Sequence, residues 1–136
     1  MAGAAYVVDG AAVRSPEKFL SLAEHPEAIL RTHVGTSSVS LLGYATSNLF
    51  DLNGDGVDEY VVGAPGVSRP GLPYSGQVHV YDGRTGEALH TFSGTVPYQW
   101  WGEGLRADVD SQGLFIASWH AEGYHGRVEV LRFTGQ

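Results

Sequence analysis

Three segments of the chain start from a glycine and then alternate apolar with polar residues. They are Gly3-Ala-Ala5-Tyr-Val7-Val-Asp9-Gly10, Gly76-Gln-Val78-His-Val80-Tyr-Asp82-Gly83 and Gly126-Arg-Val128-Glu-Val130-Leu-Arg132-Phe133. A period of two marks a strand with one buried face. Two of the segments lead toward a second stretch of the same kind, Ala28-Ile-Leu-Arg-Thr-His33 and Ala88-Leu-His-Thr-Phe92. Then come Leu42-Gly43 and Trp101-Gly102, followed by Gly63-Ala64-Pro65 and Ala117-Ser118-Trp119. The first pair is offset by 59 residues (42 to 101) and the second by 54 (63 to 117), the scale of one propeller blade. One strand of this kind could arise by chance, but an ordered set argues for a repeat.

Blade strands labelled A to D can be assigned from this repeat. Residues 4–8 read as C and 28–33 as D, and a complete A-to-D set follows between 44 and 92. Strands A, B and C then occupy roughly 103–108, 114–118 and 127–133. The predicted fold is therefore all-β, with propeller-like blades of antiparallel four-stranded sheets present as two, four and three strands. The ring is incomplete within one chain. A single domain over 1–136 would hold a partial blade at 1–41, a complete repeat at 42–94 and a degenerate repeat at 95–136. One short inserted helix is expected near 16–24, with Ser15 as cap, Pro16 in its first turn and His25-Pro26 at its end.

Between the first two blade strands of the complete repeat lies Asp51-Leu-Asn53-Gly-Asp55-Gly56-Val57-Asp58-Glu59, with oxygen-bearing side chains at loop positions 1, 3, 5 and 9. Ca²⁺ takes about six to eight oxygens from carboxylates, amides and backbone carbonyls in a flexible shell. Asp51, Asn53, Asp55 and Glu59 supply side-chain oxygens, and the carbonyl of Val57 supplies another. The loop is not an EF-hand: position 12 is Val62, inside the β-prone run Tyr60-Val61-Val62, where an EF-hand has a Glu and continues into a helix. A metal-free polar turn is the plainer reading of such residues. Acidic groups kept on alternate positions favour the metal loop.

At these residues the chain resembles the FG-GAP repeat family, known from the β-propeller of integrin α-subunits. Leu42-Gly43-Tyr44 stands where the family has Phe-Gly, Gly63-Ala64-Pro65 is its Gly-Ala-Pro, and the loop lies between them. The resemblance covers 42–94. It implies a Ca²⁺ site at Asp51, Asn53, Asp55, Val57 (carbonyl) and Glu59, with Glu59 longer than the usual Asp. It also implies an extracellular or cell-surface setting, although Met1-Ala-Gly-Ala-Ala lacks the features of a signal peptide. The expected settings are thus an intracellular protein, a chain with its leader removed or a piece of something longer.

Composition narrows the function class. The chain has 15 acidic and eight basic residues for a net charge of −7, so a basic surface for nucleic acid is not expected. Cysteine is absent, which leaves no disulfide or thiolate site. No stretch is long enough to span a membrane as an apolar helix. Between Trp101-Gly102 and Ala117 the acids are Glu103, Asp108 and Asp110; the two Asp residues are joined neither by a third nor by a position-9 acid, and this shorter loop reads as a plain turn. Catalytic signatures are thin. His120-Ala-Glu122-Gly-Tyr-His125 is the closest approach to a metal or acid/base cluster, and Gly123 argues against a helix that would align the two rings. Trp101 is assigned to the core, while Trp100 and Trp119 could be packed or could present flat faces to a sugar.

The function expected is a calcium-stabilised, non-catalytic binding or structural module of the adhesion class. Alternatives are a carbohydrate-binding propeller lectin, marked by an exposed Trp100 or Trp119 lining a pocket, and part of a hydrolase or lyase propeller. The last would need a cleft joining His120 or His125 to acids outside the loop. Open blade edges predict a homo-oligomer, and a protein or glycan partner remains to be identified.

Overall fold

The computed structural model describes residues 1–14 and 20–133. Within them run strands β1 (Ala4–Val8), β2 (Ile29–Val34), β3 (Thr46–Asn48), β4 (Tyr60–Ala64), β5 (Gln77–Tyr81), β6 (Ala88–Ser93), β7 (Gly104–Asp108), β8 (Gly113–Ser118) and β9 (Arg127–Arg132). They pair in sequence order as three antiparallel sheets of two, four and three strands. The fold is all-β and propeller-like, without closure. The described residues contain a helix of one turn, α1 (Gly10–Val13), a kinked turn, α2 (Ala121–Tyr124), whose Glu122, Gly123 and Tyr124 have left-handed backbone, and a 3₁₀ turn at Pro26–Ala28. No helix among them is long and apolar enough to cross a membrane.

The helix expected near 16–24 needs correcting where it can be seen. Residues 15–19 lie outside the described residues. Over the remainder the backbone is irregular and then turns at 22–24, with the Glu24 and His25 N–H groups both donating to the Ser21 carbonyl. Pro26 pushes the preceding residue out of the helical region, and His25 stands at φ −124° and ψ 60°, so the turn is not continued.

Burial follows the alternation in β5, where Val78 and Val80 are fully buried and His79 and Tyr81 are half-buried. β4 differs because it sits between two neighbouring sheets. Val61 joins Leu49, Phe50, Val78, Val80, Trp101, Leu114, Ile116 and Phe133 in the main core, and Val62 joins Leu42 and Ala64 in a second. Successive residues of one strand therefore feed cores on opposite sides of the central sheet. Trp101 is only 6% exposed, in agreement with its assignment from the sequence.

The sheets are stitched together in the same way at two places. Gly3 forms a parallel bridge with Leu42, and Gly76 forms the equivalent bridge with Trp101. Both glycines have left-handed backbone, at φ 77° and 81°. A Cβ would meet the Leu42 carbonyl oxygen at 2.3 Å in one case and the Trp101 backbone nitrogen at 2.3 Å in the other. Here the segment leading to the next sheet approaches too closely for any side chain.

A ring cluster joins the first sheet to the second. His33 Nε2 lies 2.7 Å from the Tyr60 hydroxyl, and its ring stacks on Tyr81 with centroids 3.8 Å apart. Burial holds His33 below the ordinary histidine pKa, with Arg31 adding to the effect. Burial and the proximity of His33 do the same to His79. Such histidines bind a proton more readily once the chain unfolds. Their contribution is therefore complete above about pH 6.5 and is lost as pH falls through the folded values. We expect the urea midpoint to drop across this window, and the double variant His33→Gln, His79→Gln to flatten that drop. An equally steep profile in the variant would place the titration elsewhere.

Candidate metal centre

The nine-residue loop is built by closing its neck. Leu49 and Phe50, 2% and 7% exposed, anchor the incoming chain in the main core. The Leu49 N–H donates to the Glu59 carbonyl at 2.8 Å, and the Glu59 N–H returns to the Phe50 carbonyl. Residues at the two ends of the loop are thereby set side by side. Between them the chain turns through left-handed Gly54 and Gly56.

Loop N–H groups converge on the acids. Asp51 Oδ1 accepts from Gly54 and Asp55 N–H at 2.7 and 3.1 Å, and its Oδ2 accepts from Gly56 N–H at 2.8 Å. These bonds, that from Gly56 first, hold the Asp51 carboxyl below the usual carboxylate range. Asp55 Oδ1 accepts from the Val57 N–H at 2.8 Å, and Asn53 Oδ1 from the Asp55 N–H at 3.0 Å. Glu59 is 1% exposed. Its Oε2 accepts from the Leu52 N–H at 2.5 Å, whereas Oε1 is buried without a hydrogen-bond partner.

One carboxylate oxygen from each of Asp51, Asp55 and Glu59 lies within 4.8 Å of the others. Two oxygens bound to one Ca²⁺ at about 2.3–2.6 Å can be at most about 5 Å apart. The spacing therefore suits a single hard divalent cation. So does the orphaned Glu59 oxygen, because a buried acceptor left unpaired is costly.

A second group of residues, which sequence reasoning missed, braces the loop. Asp82, in the turn between β5 and β6, accepts from Arg84 and Thr85 N–H at 2.8 and 2.7 Å and from Asn53 Nδ2 at 2.9 Å. Those bonds, led by Thr85, lower its pKa. Arg84 donates to Asp55 through Nε to Oδ2 at 3.0 Å and through Nη2 to the carbonyl at 2.8 Å. Arg31 of β2 in turn donates to the Thr85 and Arg84 carbonyls, both at 2.9 Å. Asp82-Gly83-Arg84-Thr85-Gly86 is recognisable in the sequence as a turn, but nothing local reveals its partner about thirty residues earlier.

Residues 95–133 hold no equivalent cluster of three or more metal-ligating side chains among the described residues. Asp108 accepts from the N–H and hydroxyl of Ser111, bonds that lower its pKa and close a tight turn. Neither His120 nor His125 joins a group of three or more metal-ligating side chains among the described residues: His120 Nδ1 contacts Glu103, and His125 follows α2. Residues 42–81, which include the loop and the strands on either side of it, match the family model described as FG-GAP repeat.

Proposed function

We propose that this chain, whose residues 42–81 are an FG-GAP repeat, is a calcium-stabilised β-propeller-type module with a binding or structural rather than catalytic role. The observation that carries the reading is the buried Glu59 carboxylate, which has one oxygen unpartnered beside Asp51 and Asp55. A bound Ca²⁺ would neutralise the three acids. Asn53 Oδ1 and the Val57 carbonyl would add donors, with water completing the shell. Affinity should be modest, on the order of 10⁻⁴–10⁻³ M, as in extracellular modules. Calorimetric titration of the chain with CaCl₂ should show one ion per chain, and no binding to Asp55→Ala. A wild-type chain silent at millimolar calcium would overturn the reading.

We further propose that the module assembles with copies of itself. Support comes from the third sheet, where Val128, Val130 and Phe115 are 65%, 42% and 39% exposed, and from the outer edges of β1 and β9, which pair with no strand among the described residues. Proteins rarely leave such edges uncovered. Native mass measurement should give a closed multiple of 14.5 kDa. Deleting residues 1–10 removes an edge strand and should dissociate or unfold the assembly. A monodisperse monomer at micromolar concentration, unchanged by that deletion, would defeat the proposal.

A further inference from the structure

A cleft of about 500 Å³ lies away from the acidic loop, between residues 96–100 and 120–124. Tyr98, Trp100, His120 and Tyr124 form its walls, with Glu122 at its edge. The Trp100 and His120 rings meet at 5.5 Å and 42°, and the His120 and Tyr124 rings at 5.2 Å and 63°, so the walls bend into a trough. Behind Trp100 stacks Tyr74, at 4.7 Å and 14°.

Two features distinguish this trough from ordinary packing. The first is its backbone. Seven non-glycine residues of the described chain have left-handed φ; Tyr98, Trp100, Glu122 and Tyr124 line the cleft, and Tyr74 supports it. Such conformations are disfavoured for aromatic residues and cluster where structure serves a site. Burial does not account for them, since Tyr98 and Tyr124 are 58% and 80% exposed. The second feature is what holds His120 in place. Glu103 is 3% exposed and spends both oxygens on one residue, Oε1 on His120 Nδ1 and Oε2 on the His120 N–H at 3.1 Å. A buried carboxylate thus fixes an imidazole in the cleft wall, leaving its Nε2 for another partner.

We infer that this cleft binds a neutral pyranose sugar. Flat aromatic faces with polar rims match a ligand that has C–H faces and hydroxyl edges. The volume lies within the range of small-ligand sites, about 300–1,000 Å³. Hydroxyls would meet His120 Nε2, the Glu122 carboxylate and the tyrosine hydroxyls. An anionic ligand is opposed by these acids and by the chain's net charge of −7. A cation is not called for, because Glu103 faces His120 and Glu122 has Arg127 at 3.7 Å. The site is independent of the metal loop.

The test uses the full chain on a surface carrying neutral mono- and oligosaccharides, with free methyl glycosides as competitors. Binding to at least one sugar class, displaced by its free methyl glycoside, is expected in calcium and in EGTA alike. Failure of the competitor would mean that the carrier, not the sugar ring, is recognised, and would overturn the inference. Trp100→Ala should weaken binding at least about tenfold. Tyr124→Ala, at an exposed ring whose loss should leave the fold intact, should weaken it several-fold. Leu89→Ala, at an exposed side chain of β6 outside the cleft, should not. No binding to any sugar at millimolar concentration would overturn the inference. So would binding that survives both Trp100→Ala and Tyr124→Ala, or capture of tetramethylammonium or a proline-rich peptide in place of sugars.

Discussion

Saturating calcium is expected to raise the melting temperature of this chain by roughly 8 °C, and Glu59→Gln to abolish that rise without lowering the melting point of the metal-free protein. The size follows from mass action: a ligand at a hundredfold excess over its dissociation constant stabilises by about 2.7 kcal/mol, and each kcal/mol moves a domain of this length by roughly 3 °C. The asymmetry follows from the loop. Without metal, Glu59 presents a buried, unpaired oxygen to two neighbouring carboxylates. Glutamine can still accept from the Leu52 N–H, and its amide places a donor toward the other acids. It removes a repulsion and an orphaned acceptor while destroying the cation site. Scanning calorimetry of both proteins in EGTA and in calcium at about a hundredfold excess over the dissociation constant, roughly 10–100 mM for the affinity proposed above, decides the matter. Identical wild-type curves in the two buffers would defeat the metal assignment, and a full calcium response in Glu59→Gln would remove Glu59 from it.

The loop was legible because its chemistry is local: nine consecutive residues carry the acids, and two glycines carry the turns. The strands were legible for a related reason, since period two repeats beside glycines that the inter-sheet bridges require at Gly3 and Gly76. What could not be read depends on distance along the chain. Asp82, Arg84 and Arg31 brace the loop from two other elements, and Glu103 meets His120 across seventeen residues. The left-handed backbones of Tyr98, Trp100 and Tyr124 were equally hidden, because local preference assigns such φ values to glycine and only tertiary contacts impose them on aromatics. Double burial of β4 was half visible: Val61-Val62-Gly63-Ala64 lacks alternation, as a strand covered on both faces must.

Gly63→Ala is expected to destabilise the fold by about 3 kcal/mol, a fall in melting temperature on the order of 10 °C, although it adds one methyl group to an apolar strand. Gly63 lies in β4, where its N–H donates to the Ala45 carbonyl and its carbonyl accepts from the Gly43 N–H. Its own strand cannot shift without breaking both bonds. On the other side a Cβ would meet the Gly102 carbonyl oxygen at 2.1 Å, in the segment that enters the third sheet. That segment is no freer. Gly102 has φ +99°, and a Cβ built on it would meet the Gln77 carbonyl oxygen at 2.9 Å and the Gly63 Cα at 3.2 Å. The glycine of Gly-Ala-Pro is thus the point where the backbones of two sheets touch, and one methyl group must part them. Gly10→Ala provides the contrast: nothing lies within 4 Å of its Cβ position, it opens α1, and stiffening the unfolded chain there should leave the protein unchanged or up to about 1 kcal/mol more stable. Urea unfolding of the two variants should separate them by several kcal/mol, and equal midpoints would mean that the second and third sheets do not pack backbone to backbone at Gly63.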